Sequence, residues 1–322
     1  MTSTATPRAA SGKVAGITVR TMEERDLTTV RTIFRTAFAT FVGAPDPENF
    51  LVDQECIFTR WRADPAAGLV AERSGELMGS NLAANWGSFG FFGPLTIRPE
   101  LWDGGIAQHL LARTMELFEQ WGVRESGLFT FPNSTKHVNL YQKFGYWPRF
   151  LTAVMTKNAA GEAGAFTGYS TLSQDGRAEA LRACRELSDS IFAGLDLTGE
   201  IEAVARQNLG ETILLWGGNR LDGFAVCYCG KDTEAGPDNC YVKFAASRPD
   251  PKSFQRLLES CEGLAVARGL SKLEAGVNTA RIQAYRLMLD LGFRTQIQGV
   301  AMHRHNQTAW NRPDVFAVDD WR

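Results

Sequence analysis

The order of strand and helix signals in the first half of this chain returns in the second about 150 residues later, roughly one domain length. No other feature limits the fold as strongly. Ile17 to Met22 alternates as a strand, and Glu24 to Val42 carries apolar residues at Leu27, Val30, Ile33, Phe34, Ala37, Phe38 and Phe41, the spacing of an amphipathic helix. A second helix is predicted from Pro47 to Trp61, with proline at its start. Strands follow over Gly68 to Glu72, Glu76 to Trp86 and Phe89 to Ile97. Then come a helix from about Ile106 to Trp121, a strand Gly127 to Phe131, a helix Ser134 to Phe144 and a strand Phe150 to Thr156. After a stretch rich in Ala and Gly the series resumes: helices Arg177 to Phe192 and Glu200 to Asn208, strands Thr212 to Trp216, Phe224 to Cys229 and Cys240 to Ala246. Helix Pro251 to Ala267, strand Lys272 to Val277, helix Thr279 to Leu291 and strand Gln296 to His303 complete it.

Strands interleaved with helices predict an α/β chain of two tandem folds, each a mixed, mostly antiparallel twisted sheet flanked by helices on both faces. The expected division is a disordered leader 1–13, a first domain 14–158, a linker 159–168, a second domain 169–309 and a tail 310–322. A near balance of 34 basic and 36 acidic residues, with no Lys/Arg cluster, argues against a nucleic-acid partner. No apolar run is long enough for a spanning helix and the N-terminal residues lack a hydrophobic signal core, so a cytoplasmic protein without a membrane partner is expected. The six cysteines show no ligand spacing, which predicts reduced core thiols, and no metal is expected.

Chemistry concentrates at Leu95-Thr96-Ile97-Arg98-Pro99, then Trp102-Asp103-Gly104-Gly105-Ile106-Ala107. A strand ends, a turn with two glycines follows, and a helix opens whose first turn has unpaired N–H groups and the positive end of its dipole. Such a junction suits a diphosphate, because glycine lets the backbone approach phosphate oxygens and Ala107 is too small to block them. The segment resembles the GNAT superfamily of acyl-CoA-dependent N-acetyltransferases, whose signature is Q/R-x-x-G-x-G/A after a strand ending in V-x-P. It departs at the first position, where Trp102 removes a side-chain donor but leaves the backbone cradle.

A second stretch, Asn133-Ser134 to Tyr141-Gln142-Lys143-Phe144-Gly145-Tyr146, looks like the family's N-x(7)-Y-x-K-x-G-F/Y. The resemblance implies that Tyr141 is the general acid that protonates the departing thiolate, and that Asn133 contacts the pantetheine arm. It implies pantetheine pairing along Leu95, Thr96 and Ile97, with a backbone N–H polarising the thioester carbonyl. His137, one turn before Tyr141, could face the same cleft. No acid stands on the strand where many relatives carry the general base, leaving water or one of Asp46, Glu48, Asp53 and Glu55.

The second half keeps the element order but not the chemistry. Its corresponding loop, Pro249 to Leu257, has no glycine and places Phe254 where Ala107 would stand, and Met288 replaces the tyrosine. It reads as a degenerate repeat that stabilises the sheet edge, shapes the acceptor cleft or forms a homodimer. The resemblance therefore implies an enzyme that moves an acetyl group from acetyl-CoA to a primary amine, a small molecule rather than a protein because the second domain narrows the cleft. A protein or peptide N-acetyltransferase and a non-catalytic acyl-CoA sensor are the alternatives.

Overall fold

The computed structural model describes residues 16–47, 49–161 and 166–322. The expected leader, Glu48 and the middle of the expected linker lie outside the described residues. The first half runs β1 (Thr18–Thr21), α1 (Leu27–Val42), α2 (Ile57–Ala63), β2 (Gly68–Arg73), β3 (Glu76–Trp86), β4 (Phe89–Phe92), β5 (Thr96–Ile97), α3 (Ile106–Gln120), β6 (Glu125–Thr130), α4 (Thr135–Gln142) and β7 (Tyr146–Asn158). The second runs β8 (Thr167–Gly168), α5 (Gln174–Ile191), α6 (Thr198–Gln207), β9 (Gly210–Gly217), β10 (Arg220–Cys229), β11 (Asn239–Ser247), α7 (Pro251–Ala267), β12 (Lys272–Asn278), α8 (Ile282–Asp290), β13 (Arg294–Arg304) and β14 (Ala317–Val318).

Two elements depart from the expected pattern for local reasons. The second helix begins at Ile57 rather than Pro47: Leu51 adopts a left-handed φ of 54°, which interrupts a helix, and the Glu55 carboxylate accepts from the backbone N–H groups of Ile57 (2.9 Å) and Phe58 (3.0 Å). The expected strand Phe89 to Ile97 is broken around Gly93 and Pro94. Phe92 pairs with Ala83 and Thr96 with Ser80, so one extra residue is accommodated between β4 and β5 as a bulge.

The helices cover both faces of one sheet, and the two halves share it without a break. Its order is β1-β2-β3-β4-β6-β13-β7-β12-β11-β10-β9-β8, with β5 on β3 and β14 on β11. The last long strand of each half has crossed to the other: β13 lies against β6, with Val300 opposite Thr130, and β7 lies against β12, with Met155 opposite Ala275. Side chains alternate across the strands, so the neighbours Phe91 and Phe92 enter different cores. Phe92 joins Leu111, Leu128 and Tyr141 beneath α3 and α4. Phe91 joins Trp86, Phe89, Leu187 and Ile201 beneath α5 and α6, together with Trp310 and Trp321 from the tail.

Residues 310–322, set apart in the sequence as a tail, are mostly buried, with 312–314 exposed, and they close the second half. There β11 and β12 pair from Asn239 with Lys272 to Val242 with Ala275 and then part. Into the opening comes β14, paired antiparallel with Ala245 and Ala246, while Ser247 N–H donates to the Phe316 carbonyl at 3.0 Å. Arg281, fully buried, clasps the segment: its guanidinium donates to Asn311 Oδ1 (3.0 and 2.8 Å), the Ala317 carbonyl (3.0 Å) and Asp319 Oδ1 (2.9 Å). Met288 is sealed in the neighbouring core.

Candidate active site

In the first half no strand among the described residues fills the equivalent opening. β4 and β6 run parallel from Phe89 opposite Glu125 to Phe91 opposite Gly127, after which β5 follows β3 while β6 stays with β13. Between the diverging strands lies a cavity of about 850 Å³. Leu95, Thr96, Ile97, Trp102, Asp103, Gly105, Ile106, Ala107, His137 and Tyr141 all contribute to its wall. Gly104 and Asn133 do not: Gly104 is buried, its N–H turned to the Leu101 carbonyl (3.2 Å), and Asn133 is exposed on the turn before α4.

The entrance to α3 is formed by backbone that its residues only partly favour. Asp103 has φ of 68° and Gly105, at the cap position, φ of 84°, the left-handed region open to glycine at no steric cost. No side chain caps this helix, a Cβ on Gly105 would meet nothing within 4 Å, and Gly105, Ile106 and Ala107 line the cavity, while the Gln108 N–H turns back to the Gly105 carbonyl (3.1 Å). Trp102 does not replace the missing polar donor. Its indole N–H donates to the Ile97 carbonyl at 2.9 Å and so ties the turn to the end of β5. The cation at this end is Lys136, with Nζ 5.3 Å from the Trp102 ring centre and 2.6 Å from Asp103 Oδ1. Nothing in the sequence around Lys136 marked it, because the turn that positions it against Asp103 is tertiary.

Tyr141 stands on α4 with its ring 5.8 Å from that of Phe92 and 6.5 Å from that of His137. Its hydroxyl has no hydrogen-bond partner among the described residues, and burial pushes its pKa above the ordinary phenol value, so it carries its proton at neutral pH. His137 is held neutral in the same range, chiefly by burial and secondly by Lys136, and its Nδ1 shares a hydrogen bond with Ser134 Oγ (2.9 Å). Here a protonated hydroxyl and the glycine turn at the start of α3 open onto one cavity, with the bulge from Gly93 to Leu95 in the wall between them.

Residues 28–146 match the sequence profile of the Acetyltransferase (GNAT) family. The matched segment is similar to that family over 119 of the 322 residues. The fold of the whole chain is similar to that of a candidate acetyltransferase from Pyrococcus horikoshii, with TM-score 0.68 at 15% identity and 96% of each chain covered. It is also similar to a GCN5-related N-acetyltransferase from Sphaerobacter thermophilus, with TM-score 0.57 at 14% identity over 91% of this chain and 96% of the other. No curated protein matches the chain by sequence.

The wall of the cavity away from α3 comes largely from residues the sequence did not mark. Phe34, Phe38 and Phe41 descend from α1, and Arg60 from α2, while Glu234, Tyr241, Glu274, Trp321 and Arg322 arrive from the second half. Arg60 joins the two parts. It donates to the Gly93 carbonyl at the bulge (2.6 Å), to both oxygens of Glu234 (2.9 and 2.6 Å) and to the Arg322 carbonyl. Burial alone would raise the Glu234 pKa, but Arg60 and Lys243 outweigh it and hold the carboxyl at about 2. The Trp321 indole lies flat against β6, where a Cβ on Gly127 would be 2.7 Å from the ring. None of Asp46, Asp53 and Glu55 lines the cavity: Asp46 accepts from Asn49 (2.7 Å), Asp53 pairs with Lys231 (2.9 Å), and Glu55 pairs with Arg31 and caps α2.

Proposed function

We propose that this chain transfers an acetyl group from acetyl-CoA to a primary amine of a small molecule, by direct attack within a ternary complex. The supporting observation is the single cavity that joins the uncapped turn at Gly105 to the Tyr141 hydroxyl across the opening between β4 and β6. In this reading the first-turn amides of α3 hold the diphosphate, with Lys136 adding charge, and the pantetheine arm lies along Leu95 to Ile97. The deprotonated amine attacks the thioester carbonyl, whose developing oxyanion is met by a backbone N–H at the bulge. The C–N bond forms, the C–S bond breaks, the Tyr141 proton passes to the departing sulfur, and the proton shed by the attacking nitrogen returns through water to the Tyr141 phenolate.

The second half closes the acceptor side with Trp321 and Arg322, which favours a small acceptor over a folded protein. Titration calorimetry with acetyl-CoA, followed by thiol release in the presence of an amine collection, tests the reading. Gly105→Val places a branched side chain at φ 84° facing the coenzyme and is expected to weaken acetyl-CoA binding by at least about tenfold. Unchanged affinity in that variant would remove the turn from the site.

A further inference from the structure

Three carboxylates reach the cavity wall, and they differ in how far they are already used. Asp103 sits at the α3 end on Lys136. Glu234 has both oxygens engaged: Oε1 accepts from Arg60 Nε (2.9 Å) and Lys243 Nζ (2.8 Å), and Oε2 from Arg60 Nη2 (2.6 Å). Glu274, on β12, gives only Oε1 to Arg322 Nη2 (2.7 Å); its Oε2 has no hydrogen-bond partner among the described residues, and the side chain keeps 20% of its surface open. Arg322 is matched a second time by Asp320, with Nε 2.9 Å from Oδ2, and Asp320 also accepts from the Tyr241 hydroxyl (2.8 Å). Among the described side-chain carboxylates lining the acceptor end of the cavity, Glu274 is therefore the one with an oxygen that accepts no hydrogen bond.

Its position follows from contacts rather than from sequence. Gly93 at the bulge bonds Arg60, Arg60 bonds the Arg322 carbonyl, and the Arg322 side chain bonds Glu274. This chain ties Glu274 to the bulge, where the thioester carbonyl would be polarised. The surrounding wall is aromatic, with Phe34, Phe38, Phe41 and Trp321. Both arginines of this end, Arg60 and Arg322, are already paired with carboxylates, so an acceptor carboxylate would find neither of them unmatched, and a second ammonium group would find Glu234 already occupied.

We infer, resting on the acetyl-transfer reading, that Glu274 receives the ammonium group of the acceptor and that the acceptor is a monocationic primary amine on an apolar, aromatic-sized body. The second half then serves the reaction through a single carboxylate it lends to the first half's cavity.

Titration calorimetry of the full chain saturated with CoA tests this with phenethylamine and tryptamine against phenylalanine and putrescine. The two aromatic amines are expected to bind, and the amino acid and diamine to bind at least about tenfold more weakly, the cost of an unmatched charge. Glu274→Gln should weaken the aromatic amines by about tenfold or more, and Glu274→Asp by less, with CoA affinity unchanged in both. Failure of both aromatic amines to bind, equal binding of phenylalanine or putrescine, or full affinity in Glu274→Gln would overturn the inference. The comparison of amines on the unaltered protein needs no variant, so a folding defect in either substitution leaves the test intact. Thiol release from acetyl-CoA is followed separately: amine binding lost on Glu274→Gln but without thiol release in the unaltered protein would refute acetyl transfer and leave the ammonium site standing.

Discussion

Replacing Tyr141 by phenylalanine separates chemistry from architecture, because the structure assigns the hydroxyl no packing duty. The ring is 7% exposed and rests on Phe92 and His137, contacts that phenylalanine keeps. The hydroxyl has no protein partner among the described residues, so its removal strands no buried donor or acceptor, and stability should change by no more than about 0.5 kcal/mol. Acetyl-CoA affinity should likewise hold, since the proposed function puts the diphosphate at α3, away from Tyr141. Loss of a general acid typically costs about 10²–10⁴ in rate, or about 2.7–5.4 kcal/mol of barrier. The pH dependence has a definite sign. Burial raises the phenol pKa, so the acid form is present through neutral and mildly alkaline pH, whereas a thiol of the leaving type titrates near about 8.5. Below that pH the sulfur needs the proton, and above it the thiolate can depart bare, so the deficit of the variant should narrow as pH rises. Thiol release at saturating acetyl-CoA, measured from pH 6 to about 10 alongside calorimetry, reads all three quantities. An unchanged turnover at every pH, or a deficit traced wholly to lost coenzyme binding, would refute the role.

Three further outcomes follow from the same contacts. Lys136→Ala should weaken acetyl-CoA binding severalfold and flatten its salt dependence, read by calorimetry at two ionic strengths, because this α4 lysine brings a positive charge to Asp103 on the turn before α3. Arg281→Met leaves Asp319 buried without its guanidinium, and loss of one partner of a buried pair typically costs about 3–5 kcal/mol, visible as a marked fall in melting temperature. Glu234 has a folded pKa of about 2 against an ordinary 4.5, so its contribution is complete above pH 4.5 and disappears as pH falls toward 2, about 3 kcal/mol in all. Melting curves across that window should slope less steeply in Glu234→Gln.

The elements were legible because their signals are local. Helix α7 was read with both its ends, Asp250 capping Lys252 and Ser253 with Pro251 at the first position. The junction from β5 to α3 was equally plain, since strand, paired glycines and helix follow one another directly. The short α2 was misjudged because Pro47 offered a helix start, while the true cap, the Glu55 side chain, has no strong sequence signature. The bulge at Gly93 was hidden inside an apolar run. The acceptor wall could not be read, because Arg60, Glu234, Glu274 and Arg322 meet only through the tertiary arrangement and none stands at a telling spacing. Exchange of β7 and β13 was equally silent: both strands carry similar alternation, and alternation specifies a face rather than a neighbour. The aromatic density from Trp310 to Trp321 was a usable sign of burial that domain-length reasoning set aside.

The crossing of the two final strands has a bearing on biosynthesis. When the first half leaves the ribosome, β6 presents an open edge whose proper neighbour, β13, has not been made. At about 5–20 residues per second, translation needs on the order of ten seconds or more to supply it. The nascent half must meanwhile pair provisionally or be shielded, and a gene cut between the halves would deliver two polypeptides that are each incomplete and each sticky along one margin.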